Sequence, residues 1–554
     1  MAKLIVTAAP PTSNGDLHLG HISGPYLGAD VFTRVRRQFG DDVLCVSYSD
    51  DFQSYVQRKA FETDGGGEDL AERSADLAKA LGKQMADSLA SADIQYDMFM
   101  HSGSSPSLIP ALQHFFSAAQ SQDMLFISPQ KAPYSDKHQV WGYEAFARGT
   151  CPNCGASTDT SQCETCAFPP SISDMEDLRF VLDGSPFRMI ETDQILLRVG
   201  ANRALLQDLF DRMNCRQPLG AFGDEILRKL PEDWAVSRPG DWGPELPDYP
   251  GQSLHTWFAG IAGYMAASMD WAAATGNAEA WKDYWNDQNT GIVHFVGIDC
   301  AFSHAVVYPI MLSCVEHGPK TKQIYTNQFL TLNGDGFSTS RGHAIWAGEF
   351  FSTVDTDAAR LYLALVAPEL EEADFDLTDF ENFTNEVCGK ILANAISMVV
   401  NTDATRVASG NGLTSELAMI KLDEIRRNYM AAASVEEFSM RGIASCIHDL
   451  LTLIHLSAVE SLPQLLALYG CLSAPLQPGF SKRLRQALSV DAEWANAWLQ
   501  EGRILSPTPM FPDDVSALNQ VQIPRVEKSA RLEFEEEIQK SKPADVANAL
   551  TAAE

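Results

Sequence analysis

The sequence predicts an α/β fold interrupted by a cysteine-bearing insertion and followed by an α-helical C-terminal region. Three observations predict it: a strand, turn, helix, strand opening; two Cys-x2-Cys spacings within a change of composition; and helical periodicity after about residue 350. At 554 residues the chain is too long for one ordinary core, and 45% hydrophobic residues suffice for several.

Residues 3 to 9, KLIVTAA, form a short β-prone apolar run. A Pro/Ser/Asn/Gly turn follows, then LGHISGPYLGADVFTRVRRQFG, whose apolar positions suit a helix, and then the strand-like DDVLCVSYSDD. A β-α-β opening favours a parallel sheet, and its first half is assigned to residues 1–115. Residues 116–235 are turn-rich and cysteine-bearing, then mixed helical, and read as an insertion. The α/β character resumes over 236–350 with GIVHFVGIDC and QIYTNQFLTLNG. TDAARLYLALVAPEL opens a linking helical region, 351–400, and amphipathic segments of a helical domain fill 401–554. Within it, residues 506–528 carry four prolines and read as a linker or extended wrap, and RLEFEEEIQKS as a final exposed helix.

Forty-one basic against seventy-three acidic residues give a formal charge of −32. That excludes broad electrostatic attraction to nucleic acid or to an anionic membrane, so any polyanion must meet a local basic patch. The opening MAKLIVTAAPPTSNG lacks the apolar core and cleavage site of a signal peptide, and no run is long enough to span a membrane; the expected compartment is the cytoplasm. The eleven cysteines are an odd number, which suits reduced thiols. Four of them, Cys151, Cys154, Cys163 and Cys166, can present four thiolates to one Zn2+. A filled thiolate shell leaves no open position, so the expected zinc is structural and not a Lewis acid.

PPTSNGDLHLGH places His18, Gly20 and His21 at the start of the first helix. A glycine there lets a nucleotide approach the backbone, and imidazoles beside a helix N-terminus can donate to phosphate oxygens. VTAAPPTSNGDLHLGH resembles the nucleotide-binding signature of class I aminoacyl-tRNA synthetases, in particular the methionyl-tRNA synthetases, and the resemblance runs in order over about the first 400 residues. It implies a Rossmann-like catalytic domain split by the zinc-knuckle insertion, in a divergent paralogue of that family. YSDDFQSY stands where the family holds the substrate amino group, which implies that role for Asp50, with Asp51 its neighbour. DWAVSRPGDWGPELP implies Arg238 and Glu245 near the nucleotide, and HTWFAGIAGYMAAS implies Trp257 and Tyr264 in the amino-acid pocket. HFVGIDCAFSHAVVYPIML implies Gly297 and Asp299 at the nucleotide, Asp299 on its ribose, and His304 at the side-chain pocket.

The segment GFSTSRG resembles the family's mobile KMSKS loop and keeps Ser338, Ser340, Arg341 and Gly342, but has Gly336 and Thr339 in place of its lysines. A third lysine of the family is Ile298 here. Losing cations aimed at developing phosphate charge slows adenylate formation unless others substitute. The substitutes available are Arg341, Arg238, His18, His21 and Mg2+. The amino-acid pocket departs as well: Pro10 and Thr12 stand for Leu and Tyr, Gly260 and Ile261 for Ala-Pro, and Ser303 for Phe. Thr12 and Ser303 in place of aromatic walls are expected to leave space and add hydroxyls, which disfavours a thioether side chain. No counterpart of the family's anticodon-reading Asn and Pro-Trp is found in residues 400–554, and that region is acidic.

The resemblance therefore implies a ligase using ATP, Mg2+ and a structural Zn2+. It would form an aminoacyl-adenylate and pass the acyl group to a small molecule in a biosynthetic pathway. A divergent methionine-tRNA ligase acting on tRNA, and a catalytically silent amino-acid or nucleotide sensor, are the alternatives. No membrane is expected, and a partner protein is compatible with the missing cations.

Overall fold

The computed structural model describes residues 1–240, 242–246, 248–337, 343–402, 416–501 and 516–541. Ser338, Ser340, Arg341 and Gly342 lie outside them, as does the first part of the proline-rich stretch. Two compact units emerge, and neither is continuous in sequence. The first comprises Met1–Asp16, Asp42–Asp87 and Gln95–Asn327; the second comprises Leu17–Asp41, Ser88–Ile94 and Gln328–Glu554.

The first unit is built on a parallel five-stranded sheet. Its strands are β1 (Lys3–Ala8), β2 (Asp42–Ser49), β3 (Met98–His101), β4 (Gly291–Gly297) and β5 (Lys320–Asn327), in the order β5-β4-β1-β2-β3. Val6 lies opposite Val293 on one side and Cys45 on the other, and most of β1 is buried. Burial of both faces explains the near-continuous apolar runs that marked these strands. The chain builds outward from β1 through β3 and returns after the insertion to place β4 on β1's other side. The strand order reverses at β1/β4, and the carboxyl ends of strands at such a switch point open the crevice where α/β sheets bind ligands.

The insertion holds a second, antiparallel sheet that the sequence reading does not contain. Leu125–Ser135 pairs with Arg188–Arg198 over ten residues, flanked by Asp233–Ala235 and Val140–Trp141. Its first strand, LFISPQKAPYS, has two prolines, Pro129 and Pro133, and exposes Ile127, Pro129 and Lys131, so it lacks a regular apolar face and carries a turn-like signature.

In the second unit the first helix is a composite. A short turn Leu19–His21 runs through a wide turn at Ile22–Tyr26 into Leu27–Gln38, with Gly24 non-helical and Pro25 unable to donate. This helix groups with the C-terminal helices through Arg360, whose side chain is fully buried. Its guanidinium bonds Asp30 at 2.6 Å and donates to the carbonyls of Ala92, Asp93, Pro475 and Leu476. Two carboxylates cap helix N-termini in the same unit. Glu369 accepts from the backbone N–H of Met440, and Asp357 from those of Gly479 and Phe480. Among the described residues no helix is long and apolar enough to cross a membrane.

Candidate functional site

In the second unit, His18 and His21 stack at 3.8 Å, and Phe337 stacks on the other side of His18 at 4.7 Å. Phe337 is the second residue of GFSTSRG, and an aromatic between glycine and serine carries no motif signal. Gly20 makes the stack possible: a Cβ there would lie 3.1 Å from the His18 ring and 3.4 Å from Phe337. The His18 backbone N–H donates to His21 Nδ1 at 3.2 Å, which leaves the proton of neutral His21 on Nε2. Burial lowers the pKa of His21 to about 4, and burial together with His21 holds His18 well below its ordinary value. Both imidazoles are neutral at pH 7. They supply hydrogen-bond donors and not the missing positive charge.

In the first unit the turn after β1 is pinned to the end of β2. Asp50 N–H donates to the Pro11 carbonyl at 2.8 Å, and Thr12 bridges to Asp50, with Pro10 just upstream. Asp51 holds this turn: its carboxylate accepts from Ser13 Oγ at 2.5 Å and from the Gly103 N–H at 2.8 Å. Asp50 is placed differently. Its carboxylate is 5% exposed and accepts from Gln53 Nε2 at 2.9 Å. Burial pushes its pKa up to about 7, the Gln53 bond opposing and Asp51 and Glu144 adding to the rise.

Tyr264 and His304 form the buried centre of a polar aromatic cluster. His304 Nδ1 lies 3.0 Å from the Cys300 carbonyl and from Ser303 Oγ, while Nε2 meets Tyr264 Oη at 3.0 Å. Tyr264 Oη is also 3.2 Å from the Ala8 carbonyl at the end of β1. Trp257 sits in the first turn of the helix Thr256–Ala274, where its N–H donates to the capping His255 Nδ1 at 3.1 Å. Gly260 leaves no vacant notch. A Cβ on Gly260 would lie 1.7 Å from Tyr308 Oη, so the tyrosine hydroxyl occupies the volume that the missing side chain releases. Gly297 is likewise filled, by the Asp299 carboxylate folding back over it at the end of β4, and burial raises the pKa of that carboxyl.

Arg238 and Glu245 border a cavity of about 450 Å3 whose walls include Tyr134, Trp141, Tyr143 and Trp242. The Arg238 guanidinium is 5% exposed and is paired with Glu144 at 2.5 Å, so it is already neutralised. Glu144 also accepts from Ser54 Oγ at 2.6 Å and lies 3.0 Å from His255 Nε2. Burial alone would raise its pKa, but the Arg238 charge and the His255 and Ser54 contacts overcome that and hold it well below the usual carboxylate range. Glu144 adopts φ 42°, a left-handed conformation uncommon for a non-glycine residue. Nothing in WGYEAFARG marked it: a glutamate among aromatics in an insertion has no motif to report its burial.

The four cysteines converge as their spacing predicts. Their Sγ atoms all lie within 4.8 Å of one another, with Cys151 to Cys166 at 3.9 Å and Cys154 to Cys163 at 3.6 Å. Tetrahedral zinc with bonds of about 2.3 Å requires sulfurs about 3.8 Å apart, so the set fits. Asn153 Nδ2 donates to Cys166 Sγ at 3.4 Å, an outer contact of the kind that orients a thiolate ligand.

A family model described as tRNA synthetases class I (M) matches residues 4–400. The methionine–tRNA ligase of Chlamydia abortus is 30% identical over 392 residues, 70% of each chain. That of Chlamydia muridarum is 29% identical over 468 residues, 82% of each. In fold, the chain resembles Mycobacterium tuberculosis methionyl-tRNA synthetase in complex with methionyl-adenylate, with a TM-score of 0.68 and 16% identity over 92% of this chain and 100% of that one. On the breadth of these matches the chain belongs to the methionyl type of class I aminoacyl-tRNA synthetases, ATP-dependent ligases that activate amino acids.

Proposed function

We propose that the protein activates an amino acid as its adenylate and passes the acyl group to a small molecule other than tRNA. The substrate ammonium pairs with the Asp50 carboxylate, while Trp257, Tyr264, Ser303 and His304 shape the side-chain site beside Pro10 and Thr12. His18 and His21 donate to the triphosphate, and Asp299 accepts from the ribose. The substrate carboxylate oxygen attacks the α-phosphorus, the bond to the β-phosphate oxygen breaks, and pyrophosphate leaves. The acceptor's amine or hydroxyl then attacks the acyl carbon, AMP leaves, and the acceptor loses a proton. Positioning and charge stabilisation suffice for both steps, with no covalent enzyme intermediate. Mg2+ enters on the triphosphate of ATP; among the described residues the cysteine set is the one metal-holding group found. Arg341, Ser338, Ser340 and Gly342 are assigned to pyrophosphate by their motif alone.

What supports a small acceptor is the aromatic-walled cavity of about 450 Å3, which has the size of a small-molecule site and is bordered by Arg238 and Glu245, the residues assigned to the nucleotide, so that an acceptor there would lie beside the adenylate. The Glu245 carboxylate on its wall and the −32 charge of the chain disfavour an RNA backbone there. A second reading, tRNA charging, is favoured by relatives named methionine–tRNA ligase that align over up to 82% of this chain. ATP–pyrophosphate exchange across a panel of amino acids, followed by aminoacylation of total tRNA, separates the two. Amino-acid-dependent exchange without tRNA charging is expected. Methionine-dependent exchange with charged tRNA would replace the first reading by the second.

A further inference from the structure

Two tyrosines fill notches made by two glycines beside the residues assigned to the substrate side chain. Gly260 and Gly263 lie three residues apart on the helix Thr256–Ala274, and therefore on one face. A Cβ at Gly260 would meet Tyr308 Oη at 1.7 Å, and a Cβ at Gly263 would meet the Tyr48 ring at 2.5 Å. Tyr48 stands on β2 and Tyr308 opens the helix Tyr308–Ser313, so both rings are wedged against the helix by rigid elements. Tyr48 Oη bonds the Gly260 carbonyl at 3.4 Å. The rings pack against Tyr264 at 5.4 and 6.3 Å, and Tyr308 packs on His304 at 4.5 Å, which places them in the cluster assigned to the substrate side chain. Asp50 follows Tyr48 by two residues at the end of β2, and after burial its charge is among the causes that raise the pKa of Tyr48, Tyr308 and Cys300. The surroundings are polar as well as full. His294, wholly buried, touches Tyr264, His304 and Tyr308, and its Nε2 has no partner among the described residues.

We propose that Tyr48 and Tyr308 set substrate choice by shortening the pocket, so that an amino acid whose ammonium pairs with Asp50 is accepted only with a side chain no longer than serine's. A linear thioether chain would have to displace a packed ring from its glycine notch, and overpacking of that kind is destabilising. This rests on the activation reading above but makes a separate claim about the size of the pocket.

The test uses the full chain with glycine, alanine, serine, cysteine, leucine and methionine. Each is measured by ATP–pyrophosphate exchange and, independently, by calorimetric binding in the presence of ATP. At least one of glycine, alanine and serine is expected to exceed methionine and leucine by about a hundredfold in both measurements. Tyr308→Ala opens the notch and is expected to shrink that preference by tenfold or more through gain of leucine or methionine, while Tyr308→Phe, which keeps the ring, retains it. Methionine or leucine bound as well as the short amino acids by the wild type overturns the proposal without touching the activation reading. Binding of short amino acids with no exchange removes the activation reading and supports the pocket assignment. Binding of none of the six overturns the pocket assignment.

Discussion

Two buried carboxylates in the same unit, Asp50 and Glu144, are held in opposite ways. Glu144 has Arg238, His255 and Ser54 around it and is ionised far below neutral pH. Asp50, 5% exposed, has one neutral side-chain donor, Gln53, and its pKa sits at about 7. Both lost water on folding. Glu144 is ion-paired with Arg238, whereas Arg238 lowers the Asp50 pKa too weakly to offset burial, and that is the difference between them. A substrate ammonium would give Asp50 what Arg238 gives Glu144.

The largest effect is expected from breaking the satisfied partner. Glu144→Gln leaves the Arg238 guanidinium buried without a counter-charge, and loss of one member of such a pair destabilises by roughly 3–5 kcal/mol. Denaturant unfolding at pH 7 checks it, and a change below about 1 kcal/mol would mean that the cluster does not organise the junction between insertion and sheet. Asp50→Asn should do the reverse to stability while abolishing exchange. Asp50's folded pKa of about 7 is above its unfolded value, so the folded state binds more protons between about pH 4 and 7 and loses stability as the pH rises through that window. Relative to wild type, Asp50→Asn is therefore expected to gain stability from pH 4 to pH 8, by up to roughly 4 kcal/mol. A stability difference that stays constant across that range would show that Asp50 carries no such penalty. Glu144 works with the opposite sign: its contribution is complete above the ordinary carboxylate range and fades as the pH falls below it, so the cost of Glu144→Gln should shrink in acid.

This contrast also measures what the sequence could reveal. The strands of the parallel sheet, the cysteine set and the order of the motifs were legible because each depends on local spacing: continuous apolar runs, Cys-x2-Cys turns, a turn between strand and helix. Asp50 is singled out by its motif, although the burial of its carboxylate beside a single neutral donor, Gln53, is not readable there. Glu144, Tyr48 and Tyr308 were hidden because their roles arise from contacts between distant segments. Tyr308 in VVYPIML reads as ordinary helix core until Gly260, 48 positions earlier, is brought against its hydroxyl. The same contact shows that a glycine in a wall need not leave a gap: a ring from a distant segment fills this one.

The smallest and sharpest effect concerns Gln53. Its side chain is the donor to Asp50, whereas its backbone carbonyl accepts from Trp242 Nε1 at 3.0 Å, a bond that survives replacement of the side chain. Gln53→Ala therefore removes the one neutral contact that favours ionised Asp50 and leaves the chain path anchored. Amino-acid affinity should rise about tenfold per pH unit as Asp50 ionises and level off above about pH 7 in the wild type. Loss of a hydrogen bond to a charged group, roughly 1.5 kcal/mol, should move that midpoint up by about one pH unit. The plateau affinity at high pH should be nearly unchanged, because the substrate ammonium still finds an ionised carboxylate. Binding measured from pH 5.5 to 9 in both proteins distinguishes this from mere damage to the site, which would lower the plateau and leave the midpoint in place.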